Sequence, residues 1–204
     1  MAILKPTNIM IAGVGGQGNR TLMKIIASAA LEDHNDVRVL SSGSLGRLGS
    51  SITCHIRLGP SVSATIPVGE IDILVALEMN EALRAIPMMR QGSLAFIHTH
   101  RRIPIIAGIQ GMHYQTMEEI ENLAANKAIK SIFVPESLLP LDDAVEHQST
   151  NSVMLGILCS YTELFPRPLV EQALCQCLPP QFTQQNLHTF AIGWQYREKL
   201  RGPQ

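Results

Sequence analysis

Ile9-Met10-Ile11-Ala12-Gly13-Val14-Gly15-Gly16-Gln17-Gly18-Asn19 joins an apolar strand-like run to a cluster of glycines. A helical pattern follows at once: Leu22, Ile25, Ile26, Ala29 and Ala30 recur at three-to-four spacing and share one face. Strand, glycine turn and helix in that order are the context in which glycines at 13, 15 and 18 match the dinucleotide-binding fingerprint. In that pattern Gly13 serves a tight turn. Gly15 lets the backbone approach a ligand, and Gly18 lets helix and strand pack closely. The start of the helix offers N–H groups and partial positive charge to a phosphate or carboxylate. The candidate binding loop is therefore Gly13, Gly15, Gly16, Gln17, Gly18 and Asn19. Packing alone also accounts for glycine at a strand-to-helix crossover, and both readings stand at this point. One companion of a nicotinamide site is missing. An acidic ribose ligand belongs about 20 residues on, at the end of the second strand. Here Val37-Arg38-Val39-Leu40 runs into Ser41-Ser42, and Asp36 stands at the other end.

Further along, Ile52-Thr53-Cys54-His55-Ile56-Arg57-Leu58 alternates as a half-buried strand does, with His55 on its polar face. Gly59-Pro60 marks a turn, and Val62 to Ile66 is the expected hairpin partner. The near-continuous apolar run Ile71-Asp72-Ile73-Leu74-Val75-Ala76-Leu77 predicts a central parallel strand buried on both faces. Helix is expected over Asn80 to Met89 and Thr116 to Lys127, and strands over Leu94 to Ile97 and Ser131 to Val134. In Thr116 to Lys127 the early Glu118, Glu119 and Glu121 and the late Lys127 follow the order that the helix dipole favours. Arg101 to Gly111 is ambiguous, since Pro104 argues against a central strand. From Ser149 onward the pattern is helical, and Asn151 to Ser160 carries no charge, as suits a helix buried in a core or an interface. Alternating strands and helices predict an α/β fold. The expected domain is single and Rossmann-like, with a mostly parallel twisted sheet, a β-hairpin insertion and a helical C-terminal part. Its α/β core spans 1–148 and its helical part 149–204.

Composition narrows the function. The chain of 204 residues is 46% hydrophobic but only 16% charged, against about 25% in a typical soluble domain. Either partners cover part of the surface or the core is large. A net charge of −1 and 4% aromatic residues give no footprint for nucleic acid. No apolar run is long enough for a membrane span, and Lys5-Pro6 precedes any apolar segment, so a cytoplasmic protein is expected. Cys54, Cys159, Cys175 and Cys177 form no pair with metal-site spacing, and on a helix Cys175 and Cys177 point to different faces. His98 and His100 share a strand face but lack a third ligand, so no metal site is expected. Met88, Met89, Met112 and Met117 suit packing better than a cofactor box.

Gly13-Val14-Gly15-Gly16-Gln17-Gly18 resembles the signature opening of the gamma-type subunits of 2-oxoacid:acceptor (ferredoxin) oxidoreductases, the indolepyruvate type above all. Gly43, Arg47 and Gly49, followed by His55-Ile56-Arg57, resemble that family's second loop and next strand. Ile71 to Glu78 resembles its central strand, and Asn151 to Gly156 and Asn186 to Gly193 its two late motifs. Gly46 and Leu48 flank Arg47 where the family often has glutamine and glycine. The resemblance implies a complete enzyme that oxidatively decarboxylates a 2-oxo acid to an acyl-CoA and passes electrons to ferredoxin, using thiamine diphosphate, iron–sulfur clusters and coenzyme A. This chain has neither a run of closely spaced cysteines nor a Gly-Asp-Gly…Asn motif. It is then a subunit inactive alone, completed by a larger thiamine-diphosphate- and cluster-bearing subunit. Self-association of the isolated chain stays open. Arg47, Gly43, Gly49, His55, Asn151 and Asn186 are the candidate substrate or interface residues. Arg47 heads them because a guanidinium grips carboxylate or phosphate bidentately. His55 suits a solvated or interface position, and Asn151 either caps its helix or faces the active-site interface. The other reading is a free-standing nucleotide- or dinucleotide-binding protein.

Overall fold

A computed structural model describes residues 6–33, 36–43, 50–99, 116–138 and 146–200. Among these residues six strands form one sheet: β1 (Thr7–Val14), β2 (Val37–Gly43), β3 (Ser51–Leu58), β4 (Ile71–Ala76), β5 (Met89–His98) and β6 (Lys130–Val134), in the order β2-β3-β1-β4-β5-β6. β1, β4, β5 and β6 pair in parallel, and β3 alone runs against the rest, antiparallel to both β1 and β2. The helices are α1 (Asn19–Glu32), α2 (Met79–Ala85), α3 (Met117–Ala125), α4 (Glu146–Thr162), α5 (Arg167–Cys177) and α6 (Pro180–Leu200). Pro87 ends the α2 segment early, in a 3-10 turn at Ile86–Met88. Thr116 and Glu119 form a full capping box that starts α3. Among the described residues no helix is long and apolar enough to cross a membrane.

The period of two in each strand sorts the core into two layers. Ile9, Ile11, Ile73, Val75 and Phe96 face α1 and α4, with α5 packed on α1 and α6 on α4. Met10, Ala12, Leu74, Ala76 and Ile97 face α2 and α3. The methionines divide: Met89 is buried in the second layer with Met88 beside it, whereas Met117 is partly exposed, at 41%, and Met112 lies outside the described residues. His98 ends β5 as a buried side chain; His100 and the Arg101 to Gly111 segment lie outside the described residues.

One expectation is corrected and another is resolved. The hairpin partner of β3 is β2, not Val62 to Ile66, which forms no strand and leaves Val62 fully exposed. That loop packs across the sheet instead. The Ile66 N–H donates to His55 Nδ1 at 3.1 Å, and Arg57 donates to the Ser63 and Thr65 carbonyls. β3 thereby takes the place beside β1 that a direct β1-α1-β2 crossover would give to β2. For the uncharged helix, expected in a core or an interface, the structure decides between the two. Residues 150–160 of α4 are buried within this chain, against the sheet and α6, so the core reading holds for its apolar side chains. Its apolar surface is consumed by α6 because glycines let the two backbones touch. A Cβ on Gly156 would stand 2.3 Å from the Phe190 carbonyl oxygen, and one on Gly193 2.1 Å from that of Val153.

Candidate functional site

The glycine loop stands at the carboxyl end of β1, beside β4, where the chain turns in opposite directions to build the two halves of the sheet. Ligands of open α/β sheets bind at such switch points. The loop is filled by its own side chains. Gln17 is buried and bridges the two strand ends: its Oε1 accepts from the Val14 N–H at 2.8 Å and its Nε2 donates to the Leu77 carbonyl at 3.1 Å. Asn19 Nδ2 folds back to the Val14 carbonyl at 3.0 Å. These two side chains, not a turn, require glycine at 13. A Cβ there would lie 2.3 Å from Asn19 Oδ1 and 2.8 Å from Gln17 Oε1. The Gly15 N–H is committed to the Ser50 carbonyl at 2.8 Å. Positive φ falls at Gly16 (97°) and Gly18 (76°), the positions where the chain swings into α1.

From the far end of the sequence α4 reaches the same place. Asn151 Nδ2 donates to the Gln17 carbonyl at 2.9 Å. Since α4 begins at Glu146, Asn151 lies inside the helix and does not cap it. Gly18 is glycine as much for this helix as for the strand, because a Cβ would stand 2.4 Å from Asn151 Nδ2. The next residue, Ser152, donates to Asn186 Oδ1 at 2.6 Å, and Asn186 Nδ2 holds the Phe182 carbonyl at 2.8 Å. A cavity of about 280 Å³ opens between the α1 N-terminus, α4 and the α5–α6 junction, lined among others by Gly16, Gly18, Asn151, Cys177, Phe182 and Asn186. It falls just below the usual ligand-pocket range, roughly 300–1,000 Å³. It has room for a fragment or a protruding side chain rather than a whole dinucleotide.

Of the sequence candidates, Gly16, Gln17, Gly18, Asn151 and Asn186 thus converge on one cavity. Gly13, Gly15 and Asn19 support it from behind. Gly43 ends β2 at φ 135° against Ser51 and Ile52. Arg47 and Gly49 lie outside the described residues, but Gly43 and Ser50 on either side of them both stand at the carboxyl end of the β1–β3–β2 ladder. His55 does not join the site. It is buried on β3 under the 59–66 loop, not solvated, and burial lowers its pKa. Cys175 and Cys177 separate as their spacing implies, Cys177 toward the cavity and Cys175 toward a recess with Arg167 and His188.

Sequence reasoning overlooked Glu81. It and Glu78 are almost fully buried beside the carboxyl end of β4. Glu78 caps α2 by accepting from the Glu81 N–H, while Glu81 accepts from Ser51 Oγ at 2.5 Å and from Arg84 at 2.7 Å. Two glutamates three positions apart, directly after the apolar run Ile73 to Leu77, were the available signal. The arrangement links β3, β4 and α2 at Ser51, the first residue of β3.

The chain is similar along its length to indolepyruvate oxidoreductase subunit IorB of Archaeoglobus fulgidus, at 29% identity over 96% of each chain. Its fold is that of pyruvate oxidoreductase subunit PORC from Thermotoga maritima, with a TM-score of 0.67 and 18% identity over 94% of this chain and 96% of that one. It also matches part of a 2-oxoglutarate:ferredoxin oxidoreductase from Magnetococcus marinus, with a TM-score of 0.62 and 16% identity over 96% of this chain but 31% of the other. The family profile of pyruvate ferredoxin/flavodoxin oxidoreductases matches residues 8–196, so it spans both the glycine loop and the two late motifs that meet it, and the chain belongs to that family.

Proposed function

We propose that this chain is the gamma-type subunit of an indolepyruvate-type 2-oxoacid:ferredoxin oxidoreductase, inactive alone, and that its carboxyl edge closes an active site built on a larger subunit. The observation that carries the reading is the meeting of Gln17, Asn151 and Asn186 at one cavity, since all three lie in the motifs that resemble this enzyme class. The Magnetococcus marinus protein, matched over 31% of its length, supports the same division of labour, with this chain equivalent to one segment of a longer oxidoreductase. In the complete enzyme thiamine diphosphate supplies the carbon chemistry, iron–sulfur clusters carry electrons to ferredoxin, and coenzyme A takes the acyl group.

The described residues do not fit an iron–sulfur cluster. Among them no three His, Cys, Asp or Glu side chains converge on a metal position. Cys54 and Cys159 are buried thiols, and burial pushes Cys159 up to about 12. The redox groups are therefore assigned to the partner. This chain's own share is positioning: Gln17 locks the β1 and β4 ends and Asn151 locks the glycine turn, while Arg47, by its chemistry, is the group assigned to an anionic substrate or coenzyme A.

Co-expression with the larger subunit tests the assignment. The expected result is a stable complex that reduces a ferredoxin-like acceptor with an arylpyruvate, with no turnover when this chain is omitted. Arg47→Ala should lower turnover about tenfold or more, the scale of a lost charge-assisted contact, while assembly persists. Recovery of the chain without any such partner, and 2-oxo acid oxidation indifferent to it, would overturn the reading.

A further inference from the structure

We propose that the outer edge of β2 is an isologous interface at which two copies of this chain pair antiparallel about a two-fold axis at Leu40, joining their sheets into one of twelve strands. Edge strands are commonly guarded by proline, a bulge or several charges. β2 has none of these: it runs seven residues, Val37-Arg38-Val39-Leu40-Ser41-Ser42-Gly43, in unbroken register with β3 and with Arg38 as its single charge. Among the described residues no strand pairs with its other side. Val39 and Leu40, on opposite faces, are 41% and 38% exposed.

The hydrogen-bond phase of the ladder says which groups point outward. The Gly59 N–H donates to the Asp36 carbonyl at 2.8 Å, in the register that pairs Val37 with Leu58. Bonded and non-bonded pairs alternate along an antiparallel ladder. Arg38, Leu40 and Ser42 therefore turn their backbone groups to β3, and Val37, Val39, Ser41 and Gly43 turn theirs outward. Leu40 is the middle residue of the strand. A two-fold axis there sets Val39 against Ser41 of the second copy and Val37 against Gly43, so every outward group finds a partner. Leu40 then meets its own copy at a non-bonded pair, where side chains approach most closely. Arg38 falls opposite Ser42, and no like charges face each other.

Elements on both faces of the sheet fit the same axis, and they are needed. A seven-residue strand edge alone falls short of the roughly 1,200 Å² that a stable interface buries. On one face α1 lies over β2, tied by Arg20 Nε to Ser41 Oγ at 3.0 Å. Arg20, Lys24, Ala27 and Leu31 recur at helical spacing on that side, with Leu31 61% exposed. The axis sets the two α1 helices antiparallel on one face, which brings the basic Arg20 and Lys24 end of each toward the Glu32 and Asp33 end of the other. On the opposite face the 59–66 loop, held by Arg38 to the Ser61 carbonyl, presents Val62 beside the seam. β3 separates this edge from β1 by two strand spacings, about 10 Å. The glycine loop and its cavity stay open to the larger subunit.

The test reads mass and cross-linking, so it is independent of catalytic activity. The full chain, alone and in the purified complex, is examined by light scattering and sedimentation. Two copies per particle are expected. Val39→Pro removes an outward N–H but no bond to β3, and should weaken dimerisation tenfold or more with an unchanged circular dichroism spectrum. In a Cys175→Ser, Cys177→Ser background, Leu40→Cys should oxidise to a covalent dimer, since the Cα atoms of a non-bonded pair lie about 4.5 Å apart. Val39→Cys, opposite Ser41, should not. A monomer alone and a single copy in the complex would overturn the proposal. So would an uncrosslinked Leu40→Cys chain whose Val39→Pro counterpart sheds the larger subunit, because the edge would then belong to that partner.

Discussion

Gln17 and Asn151, 134 positions apart, share one hydrogen bond, and Gly18 is the residue that lets it form. Gly18→Ala carries two costs: a Cβ at φ 76°, about 1–2 kcal/mol, and a collision with Asn151 Nδ2. Asn151→Ala leaves the buried Gln17 carbonyl unpaired, at about 1–3 kcal/mol. In the double variant the collision is gone. Urea unfolding should therefore show a combined loss clearly smaller than the sum of the single losses, with coupling of about 1 kcal/mol. Strict additivity would mean that the two side chains never met. His55 gives a second test at this scale. Its Nδ1 accepts the Ile66 N–H, so the folded chain holds the ring neutral with the proton on Nε2, and burial lowers its pKa below the ordinary 6.5. Between the lowered folded value and 6.5 the unfolded chain binds the extra proton. The contribution of His55 to stability is thus present above about pH 6.5 and lost as pH falls through the folded pKa. Melting temperature should drop from pH 7.5 to pH 5, and His55→Gln, which still accepts from Ile66, should flatten that drop. An unchanged slope would place the titration elsewhere.

At the scale of elements, α4 and α6 touch backbone to backbone at Gly156 and Gly193. Helix propensity favours alanine over glycine by about 1 kcal/mol in a helix interior. The tertiary contact opposes it, because a methyl at 193 would sit 2.1 Å from the Val153 carbonyl oxygen, an atom fixed in the α4 backbone. Overpacking of this kind costs about 1–3 kcal/mol. Gly193→Ala should therefore lower stability despite the propensity gain, and its melting curve should shift down by several degrees. A shift upward would show that the two helices can separate freely. Since α4 carries Asn151 and α6 carries Asn186, the same displacement would loosen the cavity.

For the whole molecule, the insertion of β3 has a functional consequence. In a dinucleotide fold the ribose ligand stands on the strand next to β1. Here that neighbour is the antiparallel β3, while β2 lies two places away and closes on Ser41-Ser42-Gly43, with no acid. Gln17 and Asn19 also fill the loop where a pyrophosphate would approach. Calorimetric titration of the purified chain with NAD(H) should show no micromolar binding. Heat of binding at that level would revive the free-standing nucleotide-binding reading, which the family membership does not favour.

Apart from the strand expected at Val62 to Ile66, the order of strands and helices was legible in the residues, as were the glycine turn at the carboxyl end of β1 and the missing acid after β2, because each is a local property. Periods of two and 3.6 report which face of an element is buried, and glycine marks where a Cβ cannot stand. What buries that face is another matter. The alternation of Ile52 to Leu58 held, but only the assembled sheet put β3 between β1 and β2 and turned the 59–66 loop over His55. The uncharged run after Asn151 marked a buried helix. That its cover is α6 rather than another subunit depends on glycines 37 positions apart at 156 and 193. Asn151 suits a cap by residue type, yet α4 begins a turn earlier and its amide goes to Gln17. Such pairings are settled by packing summed over contacts remote in sequence, and no window of neighbouring residues carries that sum.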